Sequence, residues 1–147
     1  MIVIEPSCLD AVKRHAEQEY PRECCGLLIG RIEDDGRTRV VIEIYPVSNA
    51  WADSDALDHR MLITPQDYMR AERDFSKQGL GVVGNYHSHP DHPAIPSQFD
   101  LEHLAPWPTM SCIVVSVRAG GHAGDLRSWE LATDRSRFNE EEVSKGS

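Results

Sequence analysis

Leu80-Gly81-Val82-Val83-Gly84-Asn85-Tyr86-His87-Ser88-His89-Pro90 is a short apolar run that ends on two histidines with one residue between them, and Ser97-Gln98-Phe99-Asp100 follows seven residues later. The run, punctuated by glycine, reads as a buried strand. Residues two apart on a strand point to the same face, with Cα atoms roughly 6.5 Å apart. His87 and His89 therefore converge, while Ser88 points away. Pro90 ends the strand because it has no N–H for the ladder, and Pro93 and Pro96 stiffen the loop that follows. Ser97 suits an N-cap and Asp100 the third position of the helix it opens, over residues 97–104.

Two imidazoles and a carboxylate within fourteen residues are the donors a mononuclear zinc site needs. Catalytic zinc takes three protein ligands and keeps a fourth position open. Each half of the pattern also has a plain reading. Ser-x-x-Asp before an apolar run is a capping box, and His-x-His alone is a pair of ordinary strand histidines. A zinc hydrolase further requires a base to take a proton from water. Glu23 opens the apolar run Glu23-Cys24-Cys25-Gly26-Leu27-Leu28-Ile29-Gly30. A charge there is either the solvent end of a strand or a carboxylate reaching the site from a neighbouring strand.

Glu23 before Cys-Gly, His87-Ser88-His89-Pro90 and Ser97-x-x-Asp100 together resemble the signature of the JAMM (MPN-plus) family of zinc metallopeptidases. The resemblance runs from about residue 2 to the strand around residues 127–129. It is nearest to the short stand-alone prokaryotic members, among them the peptidase that removes cysteine from a sulfur-carrier protein. It implies zinc bound by His87, His89 and Asp100, with Glu23 as general base and then acid to the leaving amine. It assigns Ser97 to stabilising the oxyanion. Ser88 is left to buttress the site. The insertions with which eukaryotic relatives grip ubiquitin have no room here, so the implied partner is a ubiquitin-like or sulfur-carrier protein rather than ubiquitin.

A chain of 147 residues is read as one domain with a sizeable core. Fifteen basic against 24 acidic residues give a net charge of −9, which argues against nucleic acid and against an anionic membrane surface as partners. No apolar run approaches the 18 or so residues that span a bilayer, and the first residues lack a signal peptide's basic and apolar regions, so the cytosol is the expected location. Cys8, Cys24, Cys25 and Cys112 lack zinc-type spacing. They are read as reduced, small buried residues; a role for Cys24 or Cys25 near the metal stays open because they follow Glu23. His15, His59, His92, His103 and His122 are read as surface residues, with His92 a candidate substrate contact.

The scaffold follows from periodicity. Residues 2–4 form a short strand, and a helix capped by Ser7 runs to about residue 19 with Leu9, Val12, Ala16 and Tyr20 on one face. Strands over 23–32 and 39–47 are joined at Asp35-Gly36. Residues 51–58 are irregular, and 59–63 form a further strand. A helix capped by Thr64 with Pro65 first runs to about residue 78 and packs Tyr68, Met69, Glu72 and Phe75. Pro106-Trp107-Pro108 breaks the chain, and strands over 111–117 and 126–131 flank a glycine-rich turn. Residues 1–135 make the expected domain and 136–147 a polar, frayed tail with a short strand near Phe138. The fold class is α/β: a single-domain, mixed, largely antiparallel sheet flanked by helices. That agrees with the JAMM/MPN fold, which resembles cytidine deaminases.

A zinc deaminase would show His-x-Glu and Pro-Cys-x-x-Cys, and neither is present. The alternative from another class is a catalytically silent MPN-type scaffold that binds a partner. Within the enzyme reading, the scissile bond follows the Gly-Gly tail of a carrier, to cysteine or to a lysine side chain, or belongs to an unrelated amide. Residues 45–52 and 91–95 are the expected groove walls. Trp51 and Trp107 are read either as an exposed patch or as buried singly, and the oligomeric state stays open.

Overall fold

The computed structural model describes residues 1–51, 61–103 and 110–146, the side chain of His103 excepted. Along the chain run β1 (Ile2–Ile4), α1 (Pro6–Glu19), β2 (Cys25–Glu33), β3 (Thr38–Val47), α2 (Pro65–Phe75), β4 (Gly81–Pro90), α3 (Gln98–His103), β5 (Ser111–Arg118), β6 (His122–Leu131), β7 (Phe138–Glu141) and β8 (Val143–Lys145). Among the described residues the strands form one mixed sheet in the order β7-β6-β5-β4-β2-β3-β1-β8. Antiparallel pairs join β2 to β3 and β4, and β6 to β5 and β7, while β4–β5, β1–β3 and β1–β8 are parallel. The expected α/β class and mixed, largely antiparallel sheet are what the chain adopts.

The tail differs from expectation. The short strand expected near Phe138 is β7, beside β6 at one edge, but the residues after it, instead of fraying, add β8 beside β1 at the other, with only Glu142 between the two strands. A single residue spans about 3.8 Å, so the sheet curls until its two edges meet along this segment. Arg39 seals the seam, with Nη1 3.2 Å from both Glu141 and Glu130. Of the charges that made the tail look solvated, Glu141 is the one that pairs with Arg39 across the seam.

α1 packs on one face. Pro6 occupies its first turn and Glu5 precedes it, so the helix starts one residue before the Ser7 cap expected. Leu9, Val12 and Ala16 bury against Ile2, Ile4, Leu28, Val41, Ile113, Val115 and Val117, each large side chain contributing about 1.5–3 kcal/mol. The opposite face is covered by α2, whose Thr64–Asp67 capping box is complete, and by the 91–103 segment. Ala71, with Tyr68 and Phe75 partly buried, joins Cys25, Leu27, Ile29 and Val82. Met69 does not pack there: it is 71% exposed, a quarter-turn off the buried stripe.

A bulge at Val83 assigns β4 to its two faces. Leu28 pairs with Gly84 and Ile29 with Val82, which leaves Val83 extra and flips the alternation. Tyr86 and Ser88 thus face α1, while Asn85, His87 and His89 face α2 and α3. Gly26 is required opposite Tyr86, because a Cβ there would overlap the Tyr86 ring. Residues 59–60 of the expected strand over 59–63 lie outside the described residues, and Met61–Ile63 form no strand but bury Met61 and Ile63. Trp107 and residues 52–58 also lie outside them.

Candidate metal centre

β4 delivers His87 and His89 to one face in the register expected. Their Nε2 atoms are 3.0 Å apart, and each meets Asp100 Oδ2, at 3.1 Å from His87 and 3.0 Å from His89. Asp100 arrives on the first turn of α3. There Ser97 N–H donates to Asp100 Oδ2 at 2.8 Å and Asp100 N–H donates to Ser97 Oγ at 3.1 Å. The capping reading and the site reading of Ser97-x-x-Asp100 hold together: the reciprocal cap aims the carboxylate. Ser97 accepts through Oγ in that bond, which leaves its hydroxyl proton to donate elsewhere.

Glu23 precedes β2, where Cys25 pairs with His87 and Ser88 N–H donates to the Cys24 carbonyl at 3.2 Å. That register sets Glu23 across from His89. It is 5% exposed, and a carboxylate oxygen of Glu23 and one ring nitrogen each of His87 and His89 lie within 4.8 Å of one another. Ser88, pointing away as expected, locks the arrangement: Cys24 N–H donates to its Oγ at 2.8 Å.

The donor set fits a metal. Pro93 carbonyl lies 2.9 Å from His89 Nδ1. A carbonyl only accepts, so Nδ1 carries the proton and neutral His89 turns a lone pair toward Asp100 and His87. Lone pairs and a carboxylate oxygen at 3.0–3.1 Å repel unless a proton or a metal ion lies among them. Tetrahedral zinc at about 2.0–2.1 Å from each ligand needs ligand atoms about 3.3 Å apart, within a few tenths of these separations. Burial would raise the Asp100 carboxyl, but His87, His89 and the Ser97 N–H overcome it and hold Asp100 well below the usual carboxylate range. Burial would likewise lower His89, yet its bond to Asp100 raises it. The Asp100 shift keeps negative charge on the carboxylate, the form a cation selects, while the His89 shift belongs to the metal-free ring, whose Nε2 must be unprotonated to ligate.

Cys24 and Cys25 sit beside the site without joining it. Cys24 faces α1 and Cys25 faces α2. Burial pushes the Cys24 thiol up to about 12 and raises Cys25 further, and among the described residues the cluster able to hold a metal includes neither.

Other residues at the site had no local signal. Asn49 Nδ2 donates to the Glu23 carbonyl at 3.4 Å, while its Oδ1 accepts from Trp51 N–H and Leu62 N–H, both at 3.1 Å. The half-buried Trp51 ring meets Phe99 edge-on, centroids 5.2 Å apart, which places an aromatic wall beside Asp100 and bears on the expected groove at residues 45–52. His92 and His122 are exposed as expected. His15 is not: half-buried, it bonds Tyr86 Oη at 2.8 Å. His59 and the His103 side chain lie outside the described residues.

Comparison with known proteins identifies the family and the fold. A family model described as prokaryotic homologs of the JAB domain matches residues 5–132. The chain is 35% identical over 107 residues to tail tip assembly protein K of Escherichia phage N15, covering 70% of this chain and only 38% of that protein's length. It is 31% identical over 111 residues to the desampylase of Haloferax volcanii, covering 73% and 74% of the two chains. To the CysO-cysteine peptidase of Mycobacterium tuberculosis it is 30% identical over 132 residues, or 89% and 83%. A Desulfitobacterium hafniense protein known by its solution structure superposes with a TM-score of 0.83 at 31% identity, over 100% of this chain and 94% of the other. The chain belongs to the prokaryotic homologs of the JAB domain, short proteins of the JAMM/MPN type.

Proposed function

We propose that this chain is a zinc-dependent hydrolase that cleaves the amide or isopeptide bond after the Gly-Gly tail of a ubiquitin-like or sulfur-carrier protein. The observation that carries the reading is the meeting of His87 Nε2, His89 Nε2 and Asp100 Oδ2 at 3.0–3.1 Å with Glu23 beside them. Zinc held by those three residues lowers the pKa of water to about 7 and polarises a carbonyl. Glu23 takes a proton from the attacking water and returns it to the leaving amine. Its burial beside the two histidines keeps that proton transfer out of bulk solvent. The Ser97 hydroxyl donates to the oxyanion, a contribution worth about 3 kcal/mol of barrier for one donor.

The substrate class is supported by the relatives named desampylase and CysO-cysteine peptidase. A tail without Cβ atoms suits close approach to a buried centre flanked by Trp51 and Phe99. Four free, buried cysteines fit a reducing compartment, and we place the protein in the cytosol. Among the described residues no helix is long and apolar enough to cross a membrane.

Elemental analysis of the native protein and of Asp100→Ala is the test. About one zinc per native chain, with a large loss in the variant, is the expected result. No zinc in the native protein after zinc is supplied would overturn the enzyme and leave a silent binding scaffold.

A further inference from the structure

The loop between β4 and α3 turns three successive backbone carbonyls inward, and a different side chain takes each one. Ser116 Oγ donates to the His92 carbonyl at 2.6 Å, His89 Nδ1 to that of Pro93 at 2.9 Å, and Trp129 Nε1 to that of Ala94 at 3.1 Å. The donors stand on three adjacent strands, β5, β4 and β6. Ser116 pairs directly with His89, and Trp129 with Cys112 on the same face.

The Pro93 carbonyl decides which nitrogen of His89 bears the proton, and so which one faces Asp100 and His87. It is held on both sides. The bonds from Ser116 to the His92 carbonyl and from Trp129 to the Ala94 carbonyl pin the loop backbone on either side of it. The neighbouring anchors are buried: Ser116 is 3% exposed and Ala94 1%. Trp129 also packs on Ala94, Cys112 and Val114, so its ring has a packing role that its N–H does not share.

We propose that Ser116 and Trp129 are positioning residues for His89, acting through the Pro93 carbonyl to fix the ring with Nε2 toward Asp100. This rests on the reading of His89 as a metal ligand. The two side chains lie 27 and 40 positions beyond His89 in sequence and touch no ligand atom themselves.

Ser116→Ala, Trp129→Phe and the double variant test it, the phenylalanine keeping most of the packing while deleting the N–H. Two quantities are read on the full chain: zinc affinity by competition with a chromophoric chelator, and the imidazole 15N shifts of His89 in the metal-free protein. The double variant is expected to bind zinc about tenfold to a hundredfold more weakly. His89 is expected to pass from an Nδ1–H tautomer to a mixture, with each single variant moving part of the way. A folded double variant with the parent's zinc affinity and the parent's His89 shifts would overturn the proposal. If the double variant does not fold, unchanged His89 shifts in both single variants have the same force. Should the parent itself bind no zinc, the ligand reading falls while the tautomer still decides: a shift in the variants supports the positioning role, and no shift rejects it.

Discussion

The two faces of the central strands are built from alternate residues of the same segments, and both bury an apolar cluster, but only one adds a charged centre. Toward α1, Leu28, Ile113, Val115 and Val117 bury apolar surface with Val12 and Ala16, and the polar group Tyr86 Oη is bonded to His15. Toward α2 and α3, the same depth of burial holds Glu23, His87, His89, Asp100 and Ser116. Burying ionisable groups costs several kcal/mol unless they are paired or bind a metal. The apolar packing on both faces therefore offsets the cost of the charged centre that one of them buries. The bulge at Val83 separates them, because without it the histidines would share a face with Val83 in the α1 core.

Substitutions on the two faces should part company accordingly. The largest effect is expected from Glu23→Ala: hydrolysis of a carrier conjugate falls by on the order of 10²–10⁴-fold in single-turnover assays, with zinc content kept and none of the melting loss of a core variant. A large drop in melting temperature would instead make Glu23 part of the scaffold and erase the contrast. Ile113→Ala probes the α1 face. It should cost about 2–5 kcal/mol in denaturant unfolding, yet leave zinc per folded chain unchanged. Loss of zinc in that variant would mean the faces are coupled.

The smallest effect sharpens the α1 face itself. Burial lowers the pKa of His15 below 6.5, against a raising influence from Glu19. Protonation thus favours the unfolded chain: His15's contribution is present above pH 6.5 and is lost as pH falls toward its folded value. Denaturant midpoints from pH 7.5 to 5.5 should decline less for His15→Gln than for the parent. Equal declines would show that His15 titrates like a solvent-exposed histidine.

The difference between the faces also explains what could be read from the chain. The proposed ligand set is local: His-x-His needs only the two-residue period of a strand, and Asp100 needs only the cap geometry of Ser97. The capping box at Thr64 and the left-handed Asp35-Gly36 step in the β2–β3 connection are local in the same way. Met69 and Ser7 were misplaced because a helix's phase and first residue depend on what it packs against. The tail was misread because an acidic, polar segment gives no sign of its partner when that partner is Arg39, 102 residues away.

By itself, then, the sequence determined the family resemblance, the residues proposed as ligands and the kind of sheet, since His-x-His, Ser-x-x-Asp and strand alternation are spacings of two or three residues that backbone geometry reads directly. Tertiary structure alone decided that Glu23 stands across from His89, that Asn49 holds its backbone, that Ser116 and Trp129 hold the loop, and that Glu141 closes the sheet on Arg39. Those contacts depend on strand register, and register is set by which faces bury together rather than by any residue's neighbours in the chain.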